Sequence, residues 1–393
     1  MKTGIATIPL EWGRCPRWLF ERMKRLSRGI LLAIVQEFGP EEILKRLADP
    51  VWFQSFGCVM GFDWNSSGLT TTTLGAIKTG IFDIQHELGI FICGGKGKTS
   101  RKTPQEIEKY GQFKGSSFVS DLVYASRMAA KVDSALVQDG YQIYHHNFLF
   151  TKTGRWTVIQ QGLNPANRTA RRYHWLSSSV KSFVEEPHSG IITDVRTKPL
   201  NLTAKISSKN REISTQLVAE EPKTFLKDFK VLLGKGIRER RLPAGQFRKK
   251  NFLMRQKRTP SFVKMELNNV EFHWHPILKE RFDLKRLTKT IFLAHYQKPK
   301  NFEKLLAIKG IGPKTIRALS LVSEIVYGAK PSYEDPARYS FVVGGKDGTP
   351  FFVKKDVYDK LLAVMEKGIR KTKISQKEKD LAIKRLTFLN SKI

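Results

Sequence analysis

Twelve residues among the first two hundred are of the types that handle phosphodiesters: Asp63, Asp121, Asp133, Asp139, Tyr144, His145, His146, Gln160, Gln161, Arg172, Tyr173 and His174. Breaking such a bond needs carboxylates or imidazoles to hold a divalent metal or activate water. It also needs cations or amides to stabilise the charge on pentavalent phosphorus. A His–Gln pair on adjacent strands, flanked by aspartates, supplies both kinds of group. The structural alternative is that tandem histidines on a strand are one packed and one exposed residue. No His-x-x-x-His, Glu-x-Lys or Gly-x-Ser-x-Gly spacing narrows the chemistry further.

Two other segments could hold phosphate without transforming it. Ile92 to Lys102 carries three glycines and four cations in eleven residues. It is expected to form a loop whose N–H groups, with Lys96 and Lys98, contact a nucleic-acid backbone. The spacing from Gly94 to Gly97 is too short for a P-loop. The second segment, Leu305 to Leu319, reads as an apolar helix end, then Gly310-Ile311-Gly312, then a helix opening with Pro313-Lys314-Thr315. It resembles the helix-hairpin-helix module, spanning about 302–328. Gly310 and Gly312 would allow the tight turn, Ile311 would plug the space between the helices, and free N–H groups with Lys314 would face a phosphate. Such a contact reads backbone rather than bases.

The elements that must position these groups are legible in the spacing. Leu19, Met23, Leu26, Ile30 and Ile34 fall on one face of a helix ending near Phe38, and Glu41 to Leu47 forms a shorter helix before Pro50. A further helix is expected from Thr71 to about Leu88, and another from Asp121 to Val137. Tyr141–Phe150 and Arg155–Gly162 read as a hairpin. A two-residue turn at Thr153-Gly154 would pair His146 with Gln161 and Asn147 with Gln160; a three-residue loop would slip this by one. Between Lys223 and Arg258 there are thirteen cations and two acids, a net +11, which reads as a basic connector.

The 393 residues hold 69 Lys+Arg against 36 Asp+Glu, a formal charge of +33, with a pI near 10.1. That excess opposes compaction unless a polyanion is the partner, and nucleic acid is the default. A ribosome-style or thermophile-style basic surface is the alternative. With 40% apolar residues the chain can build cores, and no apolar run approaches the roughly 20 residues that span a bilayer. A cytoplasmic protein with no membrane association is expected. Cys15, Cys58 and Cys93 form neither a disulfide framework nor a zinc pattern.

Taken together, these strings resemble the archaeal and bacterial family catalogued as domain of unknown function 763. The resemblance runs through Gly4-Ile5-Ala6-Thr7, Trp12 to Leu19, Gly61-Phe62-Asp63-Trp64, Cys93 to Lys98, Tyr144-His145-His146, Gln160-Gln161-Gly162, Thr169 to Trp175, Asp335 to Phe341 and Gly344 to Gly348. Asn65 departs from it, standing where the family string has histidine. The resemblance implies a nuclease-like N-terminal domain, a C-terminal helix-hairpin-helix module and DNA processing beside a HerA-type hexameric translocase.

The reading is therefore an α+β protein with a nuclease-like domain over 1–200, a basic connector over 201–270 and a helical domain over 271–393. It is expected to be a deoxyribonuclease acting on single-stranded or structured DNA ends, in repair or end processing, with Mg²⁺ or Mn²⁺ as cofactor and a homo-oligomer allowed. Asp133 and Asp139, with His145 or His146, would position metal or water. Gln161 and Arg172 would orient the phosphate, and Tyr173 and His174 would stack on a terminal nucleotide. Lys96, Lys98, Arg172, Gly310, Gly312 and Lys314 would hold nucleic acid. The rivals are a non-catalytic DNA end or junction binder that recruits a motor or nuclease, and an RNA-binding or RNA-processing protein.

Overall fold

The apolar stripe that begins at Leu19 becomes α1 (Arg17–Phe38), with Met23, Leu26, Ile30 and Ile34 buried. Pro40 opens α2 (Pro40–Ala48). Asp49 then caps α3 (Pro50–Val59), its carboxylate accepting from the N–H groups of Val51 and Trp52 at 2.9 and 3.3 Å. Such a cap contributes about 1 kcal/mol. The helix expected to reach Leu88 divides into α4 (Gly68–Gly80) and α5 (Gln85–Leu88), because the chain leaves helix at Gly80, a weak helix former. The computed structural model describes residues 15–62, 66–193, 196–238, 281–337, 363, 365–372 and 374–391.

The fold is α+β, and its centre is a five-stranded antiparallel sheet in the order β1-β3-β4-β5-β6. The strands are β1 (Ile90–Lys96), β3 (Gln142–Thr151), β4 (Trp156–Asn164), β5 (Thr169–Leu176) and β6 (His188–Ile192). Between β1 and β3 come α6 (Thr103–Gly111), α7 (Ser116–Ala135) and the short β2 (Val137–Gln138).

One sheet face carries Ile90, Ile92, Leu149 and Ile159, which join a core with α1 to α4. The other carries Phe91, Phe148, Phe150, Val158 and Trp175; there Phe91 stacks on Tyr110 of α6, and α7 bonds to the sheet. With both faces covered, the strands read as near-continuous buried runs rather than clean alternation.

The chain divides into two compact units. The first holds the sheet, the helices packed on it and residues 334–393; the second holds Ala135–Val137 and Leu200–Tyr333. In the first unit, α13 (365–371) and α14 (Gln376–Ser391) return to the helical core through Met365, Ile369, Ala382 and Leu386. This segment was expected in a separate helical domain, but its apolar residues complete the surface left by α1 and α3.

The second unit contains β7 (Leu200–Asn201), α8 (Ser208–Ala219), α9 (Pro222–Arg238), α10 (Leu284–Gln297), α11 (Phe302–Ala307) and α12 (Pro313–Ile325). Helices thus stand where a connector was expected to open at 201. In α9 the reason is Phe225, Leu226, Phe229 and Leu232, which recur at helical spacing and are buried despite the surrounding cations. The remainder of the expected connector, from 239, lies outside the described residues until 281. No helix among the described residues is long and apolar enough to cross a membrane.

Candidate functional site

The β3–β4 turn decides which histidine meets which glutamine. Thr151 donates its N–H to Arg155 O at 2.9 Å, and Gly154 donates back to Thr151 O at 3.0 Å with φ +92°. The loop therefore has three residues, ending in a glycine whose positive φ other side chains rarely adopt. The two-residue register is corrected accordingly: His145 opposes Gln161, and His146 opposes Gln160. Because facing alternates along a strand, this one-residue difference exchanges the two histidines between faces.

On the face covered by α1 to α4, four side chains line up directly opposite one another on four strands: Lys96, His145, Gln161 and Arg172. Such neighbours have Cβ atoms about 5 Å apart. Lys96 is exposed at the end of the edge strand, while the other three are buried. Tyr144 sits at the register shift between Ile143 and His145. Its hydroxyl accepts from Gln161 Nε2 at 2.6 Å, and the Lys96 ammonium lies 5.9 Å from the centre of its ring.

Several features of this row are costly in a protein interior. Neither ring nitrogen of His145 has a hydrogen-bond partner. Burial pushes its pKa down to about 3; the neighbouring His146 and the Lys96 cation add to the effect, and the nearby Asn147 amide opposes it. Gln161 Nε2 also donates to Ser67 O at 2.9 Å. A carbonyl can only accept, so the amide orientation is fixed and the buried Oε1 is the atom left without a partner.

Arg172 donates to His174 Nε2 at 2.8 Å, Thr70 Oγ1 at 3.2 Å and Gln54 Oε1 at 2.8 Å, and lies 4.5 Å from the Phe53 ring centre. No carboxylate pairs with it among the described residues, and burial lowers its pKa to about 9. Orphaned buried polar atoms beside a buried cation that lacks a counter-ion are concentrated where a protein receives a ligand.

The opposite face holds a different polar set, in which Ser126, His146, Gln160, Asp133, Trp175 and His188 are joined in one chain of hydrogen bonds. Gln160 Nε2 donates to Asp133 Oδ2 at 2.5 Å and to Ala129 O at 3.2 Å, so its Oε1 must accept from His146 Nδ1 at 2.8 Å. His146 Nε2 then accepts from the Ser126 hydroxyl at 2.9 Å. Asp133 also accepts from Trp175 Nε1 at 3.0 Å and bonds His188 Nε2 at 2.5 Å.

Beside this chain, Asp139 accepts from Arg171 at 2.7 Å, from the Tyr173 hydroxyl at 2.7 Å and from Tyr141 N at 3.0 Å. Arg171 reaches on to Asp335 at 3.1 and 2.8 Å. Burial raises the Asp139 pKa, against the pull of Arg171.

The expected cluster of Asp133, Asp139, His145, His146 and Gln161 is therefore divided by the thickness of the sheet. Asp133 and Asp139 are buried with their oxygens committed to neighbours, so they do not fit an Mg²⁺ or Mn²⁺ ion. Among the described residues no group of three or more His, Cys, Asp and Glu is arranged to hold a metal. Tyr173 and His174 were expected to stack on a nucleotide. Both are buried, Tyr173 against Asp139 and His174 bonded to Leu47 O at 3.0 Å. Asp121 is exposed on α7, and Asp63 and Asn65 lie outside the described residues.

Sequence reasoning missed Ser126 and His188. Ser126 lies seven residues from Asp133, two turns along one helix face, and this spacing could have revealed it. His188 carried no signal.

The glycine-rich segment is not a free loop. Gly94 to Lys96 complete β1 against His145 to Asn147, and Gly97–Lys102 follows as a 3₁₀ turn that leaves Lys98 exposed. Gly94 has φ +91°, and a Cβ there would lie 2.2 Å from His146 O, so glycine is what lets β1 close on β3. Its N–H bonds Glu106 at 2.6 Å, and Glu106 is held by Lys78 at 2.7 Å. That N–H is not available to phosphate.

In the second unit, α11 and α12 are joined by Ile308 to Gly312. Asn301 caps α11 through Lys304 N at 2.9 Å. Gly310 turns the chain at φ +98°, and Ile311 is buried. Gly310 and Gly312 face open space, with nothing within 4 Å of a Cβ built on either. Lys314 is exposed at the start of α12, its ammonium 5.4 Å from the Phe282 ring centre.

A family model described as "Protein of unknown function (DUF763)" matches residues 4–353, and the chain belongs to that family. No curated protein and no solved structure matches it.

Proposed function

We propose that this member of the DUF763 family is a DNA-processing phosphodiesterase, whose reacting phosphate is received at the row of Lys96, His145, Gln161 and Arg172. The observation that carries the reading is the unpartnered imidazole of His145 opposite the unpartnered Oε1 of Gln161. Lys96 at the exposed end would meet the phosphate, with Lys98 on the turn that follows it, and Arg172 would add a positive field from the buried end. The α11–α12 hairpin would grip the backbone elsewhere on the strand. Its open Gly310 and Gly312 and exposed Lys314 suit a contact that is indifferent to sequence. Work beside a HerA-type translocase belongs to the same proposal and is tested by co-purification.

The decisive assay is cleavage of labelled single-stranded and stem-loop DNA in Mg²⁺, Mn²⁺ or EDTA. His145→Asn and Gln161→Ala should each slow it by about 10²–10⁴-fold, the range of a lost acid–base group. Undiminished cleavage in both variants would remove the site.

A second reading, a DNA end or junction binder without catalysis, is favoured by the filled hydrogen bonds of Asp133 and Asp139. It predicts tight, salt-dependent binding and no turnover under any of the three conditions.

A further inference from the structure

We infer that Gln161 separates an acid from a base: its Oε1 and the His145 ring hold the attacking water, while its Nε2 holds the Tyr144 hydroxyl that protonates the leaving alkoxide. The inference rests on the phosphodiesterase reading and adds to it the identity of the nucleophile and of both proton carriers.

The amide orientation comes first. Ser67 O and Tyr144 Oη both lie on Nε2, at 2.9 and 2.6 Å, and the carbonyl fixes that atom as the donor. Tyr144 Oη is thereby an acceptor, and its own O–H proton is left to point elsewhere. On the other side of the amide, Oε1 is a buried acceptor with no donor, and the neutral His145 ring opposite it has an unused lone pair and an unused N–H. Two acceptors opposed across neighbouring strands suit a molecule with two O–H donors, and water is the smallest such molecule.

The step balances. The water oxygen attacks phosphorus while one of its protons passes to the free nitrogen of His145. The bond from phosphorus to the leaving oxygen breaks, and that oxygen takes the Tyr144 proton. The imidazolium then returns a proton through solvent to the phenolate. The products are a phosphate monoester and an alcohol, with no covalent protein adduct.

The environment suits these roles. Burial lowers the His145 pKa to about 3 and raises that of Tyr144, so the base is kept unprotonated and the acid protonated, and groups pushed apart in this way divide acid from base. A phosphodiester at Lys96 supplies the negative charge that stabilises the imidazolium as it forms. The half-buried Tyr144 and exposed Lys96 form the rim of the row, the side from which the phosphate arrives.

The test compares Tyr144→Phe and His145→Asn on ordinary DNA and on DNA with bridging sulfur at the 3′ or 5′ position. A thiolate leaves without needing a proton. The wild type should cleave both; Tyr144→Phe should lose about 10²–10⁴-fold on the oxygen ester yet return to within about tenfold of wild type on one of the sulfur substrates. His145→Asn should be impaired on both. Tyr144→Phe equally impaired on every substrate, or unimpaired on the oxygen ester, overturns the acid assignment while the phosphodiesterase reading stands. A wild-type chain that cleaves neither substrate removes that reading and this inference together. Thermal unfolding of each variant serves as the fold control. If His145→Asn does not fold, the Tyr144→Phe comparison decides alone.

Discussion

Replacing Arg171 with methionine tests whether the face opposite the row is scaffold. The Arg171 guanidinium is fully buried and bonds Asp139 at 2.7 Å and Asp335 at 2.8 and 3.1 Å. Asp335 also accepts from Thr197 N and Ala337 N, both at 2.9 Å, so the cation ties the start of the C-terminal segment to β5. Methionine matches the length of the stem but leaves two carboxylates facing each other without a cation. Breaking a buried pair in this way costs about 3–5 kcal/mol. At about 2–4 °C per kcal/mol for a domain of this size, the unfolding midpoint should fall by roughly 6–20 °C.

The pH dependence has a definite sign. The Asp139 pKa is raised in the fold, so its protonated form is favoured there, and stability is lost as pH rises from the ordinary carboxylate range through the folded value. Removing Arg171 lifts that value further, so the deficit of the variant should be smallest in acid and grow toward neutrality. Adding Asp139→Asn and Asp335→Asn should recover part of the loss. The assay is calorimetry or circular dichroism at several pH values. A variant within 1 kcal/mol of wild type at pH 7, or one of undiminished stability that no longer cleaves DNA, would refute the assignment of this face to stability.

Three other outcomes are expected. Asp133→Asn should lower stability by about 1–3 kcal/mol, because its oxygens close a chain through Gln160, Trp175 and His188; the folded fraction should cleave at near wild-type rate, and a rate loss without a stability loss would place Asp133 in the chemistry. Gly94→Ala should destabilise the β1–β3 pair by at least 1–3 kcal/mol, since its Cβ would meet His146 O at 2.2 Å; amide hydrogen exchange along β1 would show the loss. By ¹⁵N NMR, His145 should remain neutral at pH 5, its pKa lying near 3. Since that value is depressed in the fold, the stability His145 contributes should be lost as pH falls from about 6.5 toward 3. A protonated ring at pH 5 would contradict the burial argument.

Much of the scaffold was legible because local spacing and burial agreed. The stripe from Leu19 to Ile34, the Asp49-Pro50 boundary and the Gly310-Ile311-Gly312 turn all formed where the pattern placed them. The site was half legible. His145, Gln161, Arg172 and Lys96 were named from residue type, but so were Asp133, Asp139 and Tyr173, and composition does not separate a carboxylate that awaits a ligand from one that closes a core network. Hydrogen-bond accounting does separate them, and it needs coordinates: Asp133 has three partners, whereas His145 has none.

The sequence by itself determined a charge of +33, and the tandem His-His and Gln-Gln on strands that alternate their faces. Membership of the DUF763 family follows from residues 4–353. Only the tertiary structure decided which histidine looks toward which helices. A three-residue turn ending at Gly154 sets the pairing of both histidines, and the register shifts only beyond them, at Tyr144. A strand has a period of two, so a single residue of register carries a side chain from a satisfied network to an unsatisfied one.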